Sequence, residues 1–430
     1  MNSRTCKVLA AALLAAGSGG VMAQDWSVSG YGTVGYARSN RDFNYLRWID
    51  KNGTATADTV FGAQADLRLN SQWSATLQLK AAPSLKSDSR WDITPAWAFV
   101  AWRPTDDWLL RVGRMRVPLY LHSESMDLGV SHDLARLPAE MYSIVSLTDF
   151  NGVAVAKTWP LAGGELSADA YAGTIGATTR FWLRDGVAPQ VAAGTSFLDI
   201  KVRTRGLVLT WRGQDSVWRA GLHHPRTSRA NGEAIIDSYP YVQVAQGIGY
   251  YQVSDALPGP GLSTRPEVAN TVFTLGADVP IAPAWRLTGE YARMRQKGSE
   301  LGTDQTGGYV ALMHSIGRFT PYVGYASLRS SDTVLGWYSK LTQTQLPASI
   351  PGAAQINAAM RAAGEMGYAA DQHSWMLGMS YALDGRSKLK AEFMRTHIGL
   401  SSRLVDTPPG QETVHDTGMN VWSVNYSFSF

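Results

Sequence analysis

The chain ends in Val421-Trp422-Ser423-Val424-Asn425-Tyr426-Ser427-Phe428-Ser429-Phe430, and these residues decide the fold. Trp422, Val424, Tyr426, Phe428 and Phe430 share one parity; Ser423, Asn425, Ser427 and Ser429 share the other. A period of 2 gives a strand one apolar and one polar face. The same pattern recurs upstream. Trp375, Leu377, Met379, Tyr381 and Leu383 alternate with smaller or polar residues, as do Trp73, Ala75, Leu77 and Leu79. In Phe61 to Asn70 the apolar parity faces Gly62, Gln64, Asp66, Arg68 and Asn70. Segments of about 10 residues are long enough to cross a bilayer when tilted.

Composition agrees. Of 430 residues 45% are apolar and only 17% charged, with 42 Gly, 15 Trp, 18 Tyr and one Cys. Charge lies well below the ~25% of an ordinary soluble chain. No run of about 20 apolar residues follows the N-terminus, so membrane helices are excluded. The aromatic content excludes disorder, and the single Cys excludes a disulfide scaffold. Residues 1–23 have a basic start (Arg4, Lys7), an apolar run (Val8 to Ala16) and a small-residue end (Val21-Met22-Ala23), the pattern of a cleaved secretory signal peptide. Cys6 and two cations leave with it. The formal net charge then falls from +4 to +2, which implies no nucleic-acid partner.

The connections sort into two kinds. Asn70-Ser71-Gln72, Pro104 to Asp107, Gly213 to Asp215, Ile281 to Ala284 and Asp384 to Arg386 are short. Ser39 to Asp58, Pro118 to Asp149, Ala177 to Lys201, Thr227 to Val268 and Asp332 to Ala370 are long. Tight turns at one end and long loops at the other are expected of an all-β transmembrane antiparallel barrel. Trp73, Trp108, Trp159, Trp211, Trp218 and Trp285 sit beside the tight turns, where a girdle of interfacial aromatics belongs. About sixteen strands are expected, starting near Trp26, Thr59, Trp73, Thr94, Trp108, Phe150, Glu165, Val202, Ser216, Ala269, Trp285, Thr306, Phe319, Asp371, Ser387 and Gly418. Eighteen result if a long loop hides a hairpin. Helical periodicity shows only at Ile356 to Met366, inside a loop.

These features resemble the Gram-negative general porins of the bacterial outer membrane. The last strand, with Trp422, Val424, Tyr426, Phe428 and Phe430, is similar to the terminal porin strand. In that family it is the signal read by the barrel assembly machinery. Arg111-Val112-Gly113-Arg114, followed by Pro118, is similar to the end of the fifth porin strand. The resemblance implies short periplasmic turns, long external loops, and a third loop, residues 118–149 of the 24–430 barrel, folded into the lumen. It also implies a homotrimer. Leu166-Ala168-Ala170-Ala172, apolar and small, is the first choice for the contact between copies.

Function then follows from the lumen. A wet barrel sorts solutes at its narrowest zone by size and charge. Arg111, Arg114 and Arg116 are expected on the wall there, facing Glu124, Asp127 and Glu140 of the loop. Arg111 and Arg114 differ in parity, so a bulge or loop start near Gly113 is required for both to point inward. Arg68, Lys80, Lys157, Arg212, Arg219, Arg286, Lys388 and Lys390 lie on inward parities, opposed by the acids Asp66, Asp169, Asp278, Glu290 and Glu392. Basic groups lead, so a modest anion preference is expected.

The expected function is passive diffusion of small hydrophilic solutes and ions, with outer-membrane lipid as surroundings. The alternatives are a substrate-specific channel and a structural or adhesive surface barrel. No cofactor, metal site or enzymatic activity is expected: the candidate nucleophile–base pairs, His122-Ser123 and His373-Ser374, sit on neighbouring residues, which point to opposite faces of a strand.

Overall fold

The computed structural model describes residues 25–145 and 148–430, so the signal peptide expected over 1–23 lies outside the described residues. The staves of the sheet are β1 (Asp25–Ser39), β2 (Val60–Arg68), β3 (Trp73–Pro83), β4 (Trp91–Trp102), β5 (Trp108–Arg116), β6 (Asp149–Leu161), β7 (Gly164–Leu183) and β8 (Gly194–Gly213). They continue as β9 (Val217–His223, resumed at Arg226–Arg229), β10 (Val268–Ala282), β11 (Trp285–Lys297), β12 (Gln305–His314), β13 (Phe319–Ser330), β14 (Ala370–Asp384), β15 (Ser387–Ser402) and β16 (Thr417–Ser429). Both pieces of β9 pair with the same two neighbours, so a 17-stranded sheet makes a barrel of sixteen staves.

Every stave is antiparallel to the next, and β16 returns to β1 with Tyr31 opposite Ser429 and Ser39 opposite Val421. Gly30 and Phe430 exchange backbone hydrogen bonds of 2.9 Å across the seam. Closure removes the unpaired edge that hydrocarbon cannot satisfy.

The outer face is apolar and bare. Val28 and Ile93 are each 75% exposed, and Val112, Trp375 and Leu377 are more than half exposed. Such a surface would be costly in water and suits lipid. Of the expected tryptophans, Trp73, Trp108, Trp159, Trp218 and Trp285 lie exposed at the tight-turn end and Trp211 is half-buried beside them; Trp73 stacks on Trp102 with centroids 5.8 Å apart. Lys157, expected inside, falls in the outward row with Val153 and Trp159. Its Nζ lies 5.0 Å above the Trp108 ring and pairs with Asp107, a snorkelling cation at the interface.

Three loops depart from expectation. β7 and β8 run on to Leu183 and back from Gly194, so most of the loop expected over 177–201 is a continued ladder. Above the lipid both strand faces are wet, so the apolar alternation stops while the backbone pairing does not. Residues 332–370 form two helices, α2 (Asp332–Gln343) and α3 (Ala353–Met366), following the short α1 (Ala139–Tyr142). The helical periodicity at 356–366 lies within α3. The hairpins of the 227–268 loop, Ile235–Ser238 with Ser263–Arg265 and Tyr241–Ala245 with Ile248–Tyr251, pair only with each other, which leaves sixteen staves instead of eighteen. Tyr250, Leu341, Ile356 and Met360 give the loops an apolar core of their own.

Gly378 lets the ring of Tyr322, its partner in β13, lie against the wall; a Cβ there would sit 2.3 Å from the ring. Gly378→Ala is expected to destabilise the barrel by about 1–3 kcal/mol, read from urea unfolding in vesicles. Gly385→Ala, at a turn position with no atom within 4 Å, should leave the midpoint unchanged.

Candidate functional site: the loop across the lumen

Residues 118–145 cross the inside of the barrel and lie on the wall formed by β10–β16. The sequence of that wall explains why. Its inward positions include Val272, Ala292, Met294, Tyr309, Met313, Met376 and Met394, an apolar surface unsuited to water. Leu119, Tyr120, Leu134, Met141 and Ile144 of the loop bury against it as one cluster. Phe43, Tyr45 and Ile49 of the first loop join the same cluster from above. Burial of each such side chain contributes about 1.5–3 kcal/mol, so apolar packing carries the infolding.

Hydrogen bonds fix its register. Glu290 of β11 accepts from the Leu121 amide at 2.6 Å, from Tyr142 at 2.6 Å and from Tyr309 at 3.1 Å. Glu140, wholly buried on α1, accepts from Gln372 at 2.9 Å and from Ser374. Lys390 donates to the carbonyls of Gly129 at 2.5 Å and Leu134 at 3.0 Å. Lys388 pairs with Asp133 at 2.7 Å, and Arg136 holds Asp58 through two bonds of 2.7 and 2.5 Å. Asn425 of β16 donates to Ala135 at 2.6 Å.

The other half of the lumen stays wet. Gln64, Asp66, Gln78, Lys80, Arg111 and Asp169, on β2–β7, point inward and remain partly exposed. Arg111 stands between Glu124 of the loop and Asp169 of β7, 3.8 Å from each, with Phe99 beside it. Glu124 is 46% exposed. Asp127 bridges Arg116 at 2.8 Å and Lys80 at 3.2 Å. Arg219 donates to the Pro118 carbonyl at 3.2 Å. Nearer the tight turns Arg286 pairs with Asp278, Arg212 faces Glu165 at 3.6 Å, and Arg68 is exposed.

The six residues expected at the narrowing therefore separate. Arg111 and Glu124 meet across accessible space. Asp127 and Arg116 meet at the root of the loop, where Arg116 also holds Asp149 at 3.1 Å and is almost fully buried. Glu140 is a buried pin on the far wall. Arg114 does not share Arg111's face: pairing of β5 with β6 is unbroken from Trp108 to Arg116, so the bulge expected near Gly113 is absent on that side. Arg114 instead donates to the Pro95 carbonyl at 2.5 Å and lies 3.4 Å from Asp149.

A register shift occurs next door in β4, where the extra residue Ala96 turns Trp97 and Phe99 inward. Sequence parity had no means of placing those two rings. Lys388 and Lys390 point inward as expected, but under the loop instead of into water. Ser374 bonds Thr396 at 2.8 Å inside the barrel, while His373 packs outside against Tyr325 and His397, so this pair forms no catalytic contact.

No protein-family model and no curated protein sequence matches the chain. Among solved structures it is similar to a loop-L8 deletion mutant of OmpT, an outer membrane protein of Vibrio cholerae, at 12% identity and a TM-score of 0.51, over 95% of this chain and 100% of that one. It is also similar to Pseudomonas putida OprB, at 11% identity and a TM-score of 0.50, over 98% of this chain and 96% of that one. The fold is a porin-type outer-membrane barrel. At such identities the likeness concerns the fold alone, and within that barrel the loop contacts described above are read from this chain's own residues.

Burial opposes ionisation of Asp127, but Lys80 and Arg116 outweigh it and hold its carboxyl below the usual aspartate range. Burial likewise opposes ionisation of Asp133, and Lys388 overcomes it. A lowered folded value means the contribution is complete above the unfolded value of ~3.9 and fades as pH falls through the folded one. Hydrogen exchange around Asp127 and Asp133 is thus expected to stay slow from neutral pH to about 4 and to quicken only below it.

A Cβ on Gly129 would meet Ser427 Oγ at 2.2 Å and Thr33 Oγ1 at 2.5 Å, so this loop backbone rests directly on the β1–β16 seam. Gly129→Val is expected to lift it, raising exchange across residues 125–135 while the barrel amides stay protected.

Proposed function

We propose that the chain forms a water-filled channel in a bacterial outer membrane, passing small hydrophilic solutes by diffusion between the infolded loop and the β2–β7 wall. The observation that carries this is the division of the lumen. One half is dry and packed; the other keeps a continuous inward row of partly exposed charged and polar side chains, which a solid core would not tolerate. Arg111 and Glu124, an ion pair 3.8 Å apart that stays partly exposed, border the path, with Arg219 and Asp127 beside them. A field of this kind, between low-dielectric surfaces, sorts ions by sign.

The accessible cations (Arg68, Lys80, Arg111, Arg212, Arg219, Arg286) are matched in number by the accessible acids (Asp66, Glu124, Asp127, Glu165, Asp169, Asp278), so the anion preference expected from the sequence is slight. Lys388 and Lys390 add nothing to it, since loop groups occupy both. In a planar bilayer under a salt gradient, the reversal potential is expected on the anion side. Glu124→Gln should move it further that way, and Arg111→Gln should bring it towards zero while raising single-channel conductance. Absence of conductance from a correctly folded barrel would replace the channel by a surface barrel acting through its loops.

The packed half favours a second reading, a channel selective for one class of solute. The apolar cluster and first loop leave a narrower path than an empty sixteen-stave barrel, whose lumen is an aqueous channel. Conductance that saturates and is blocked by a single solute would distinguish it from free diffusion. The Phe430 strand, sealing the barrel at β1, fits the assembly signal implied by the porin resemblance.

A further inference from the structure

We infer that the outer wall of β8–β11 binds a phosphate-bearing lipid, its phosphates on an arginine cluster near the long loops and its acyl chains in a groove below. This rests on the barrel spanning a membrane, and not on its being a channel.

The outward row of β8 reads Lys201, Arg203, Arg205 and then Leu207, Leu209, Trp211. The outward row of β11 reads Lys297, Arg295, Arg293 and then Tyr291, Gly289. Between them, Arg226 on the resumed part of β9 is the direct partner of Arg203, and Phe273 on β10 is the partner of Arg293. The change from cation to apolar falls within one two-residue step on the two strands, since Arg293 lines up through Phe273 and Leu222 with Leu207, the first apolar residue of the β8 row. These cations are all exposed.

Like charges placed directly opposite on a sheet destabilise it. Glu267 answers part of the problem, binding Arg203 at 2.5 Å and Arg226 at 3.1 Å. Among the described residues, Lys201, Arg205, Arg293, Arg295 and Lys297 have no ion-pair partner. A surface that keeps so many cations together in one outward patch is built for anions. Guanidinium forks match phosphate oxygens in pairs.

Below the cluster lies a groove of about 590 Å³ on the outer wall. Leu209, Trp218 and Tyr291 flank it, and the small residues Ala220, Ala277 and Gly289 give it depth. From Arg205 to Trp211 the strand rises ~20 Å, comparable to the ~15 Å half-thickness of the hydrocarbon layer. An acyl chain hanging from a phosphate at Arg205 would run along the groove. A free inorganic anion would use only the upper part. A second copy of the chain, related by a two-fold axis through this face, would set arginines against arginines.

The test titrates the detergent-refolded protein with diphosphoryl lipid A, its dephosphorylated form and inorganic pyrophosphate, with folding checked by heat-modifiable gel mobility. The diphosphoryl lipid is expected to bind one to one, the dephosphorylated form at least about tenfold more weakly, and pyrophosphate to compete poorly. Arg205→Gln with Arg293→Gln and Arg295→Gln should weaken binding on the order of 100-fold. Ala277→Trp, which fills the groove without touching charge, should also weaken it. Arg38→Gln with Arg395→Gln, outward cations on other staves, should leave it unchanged. Wild-type affinity in the triple variant overturns the site, as does competition by pyrophosphate equal to the lipid's. A change of oligomeric state in Ala277→Trp with lipid affinity intact overturns it in favour of a contact between copies.

Discussion

Inside hydrocarbon a backbone amide finds no water, and the whole chain is arranged around that constraint. Sixteen staves satisfy one another only if the last returns to the first, which makes the exchange between Gly30 and Phe430 the bond on which the rest depends. With the sheet closed, each strand has one face for lipid and one for the interior. The outward row must then be apolar through the bilayer, aromatic at one interface and charged where the lipid ends. The inward row is free to be either wet or packed, and this chain uses both.

That division follows from the wall. β2–β7 present glutamines, aspartates, a lysine and arginines to the lumen, whereas β10–β16 present methionines, alanines and tyrosines beside a few buried acids. The third loop, rich in Leu and Met, finds a dry partner only on the second wall. Glu290 and Glu140 would be expensive as unpaired buried carboxylates, and the loop's amides and hydroxyls, with Gln372 and Ser374 of the wall, supply what they accept. Apolar packing thus drives the loop inward, and the polar contacts decide where along the wall it stops.

Most of the fold was legible in the sequence because a period-2 pattern needs only neighbouring residues to be seen. Fifteen of the sixteen strands begin within three residues of the expected positions, β8 alone starting eight residues early at Gly194, and the tight turns fall where short polar connections suggested. The largest miss occurs where lipid no longer imposes a face, and a smaller one where the register shifts within a stave. β7 and β8 continue beyond the membrane through polar residues such as Thr178 and Asp199, which bond each other across the ladder. In β4 a single extra residue, Ala96, reverses the parity of Trp97 and Phe99, and its one local mark is Pro95 beside it, a residue that sheets tolerate at bulges.

By itself the sequence determined the closed barrel, its lipid-facing rows and, Lys157 and Arg114 apart, the interior row on which the charges sit, because strand geometry ties these to parity alone. Only the tertiary structure decided which inward charges meet water. Lys388 and Lys390 share parity with exposed lumen groups yet lie beneath the loop, Glu140 serves as a buried anchor, and Arg111 is left partly exposed beside Glu124 at 3.8 Å. Parity says which side of a wall a residue is on; what covers that side depends on a loop whose position is set by contacts between residues as many as 298 positions apart in the chain, such as Gly129 on the Ser427 hydroxyl (298) and Asn425 on Ala135 (290).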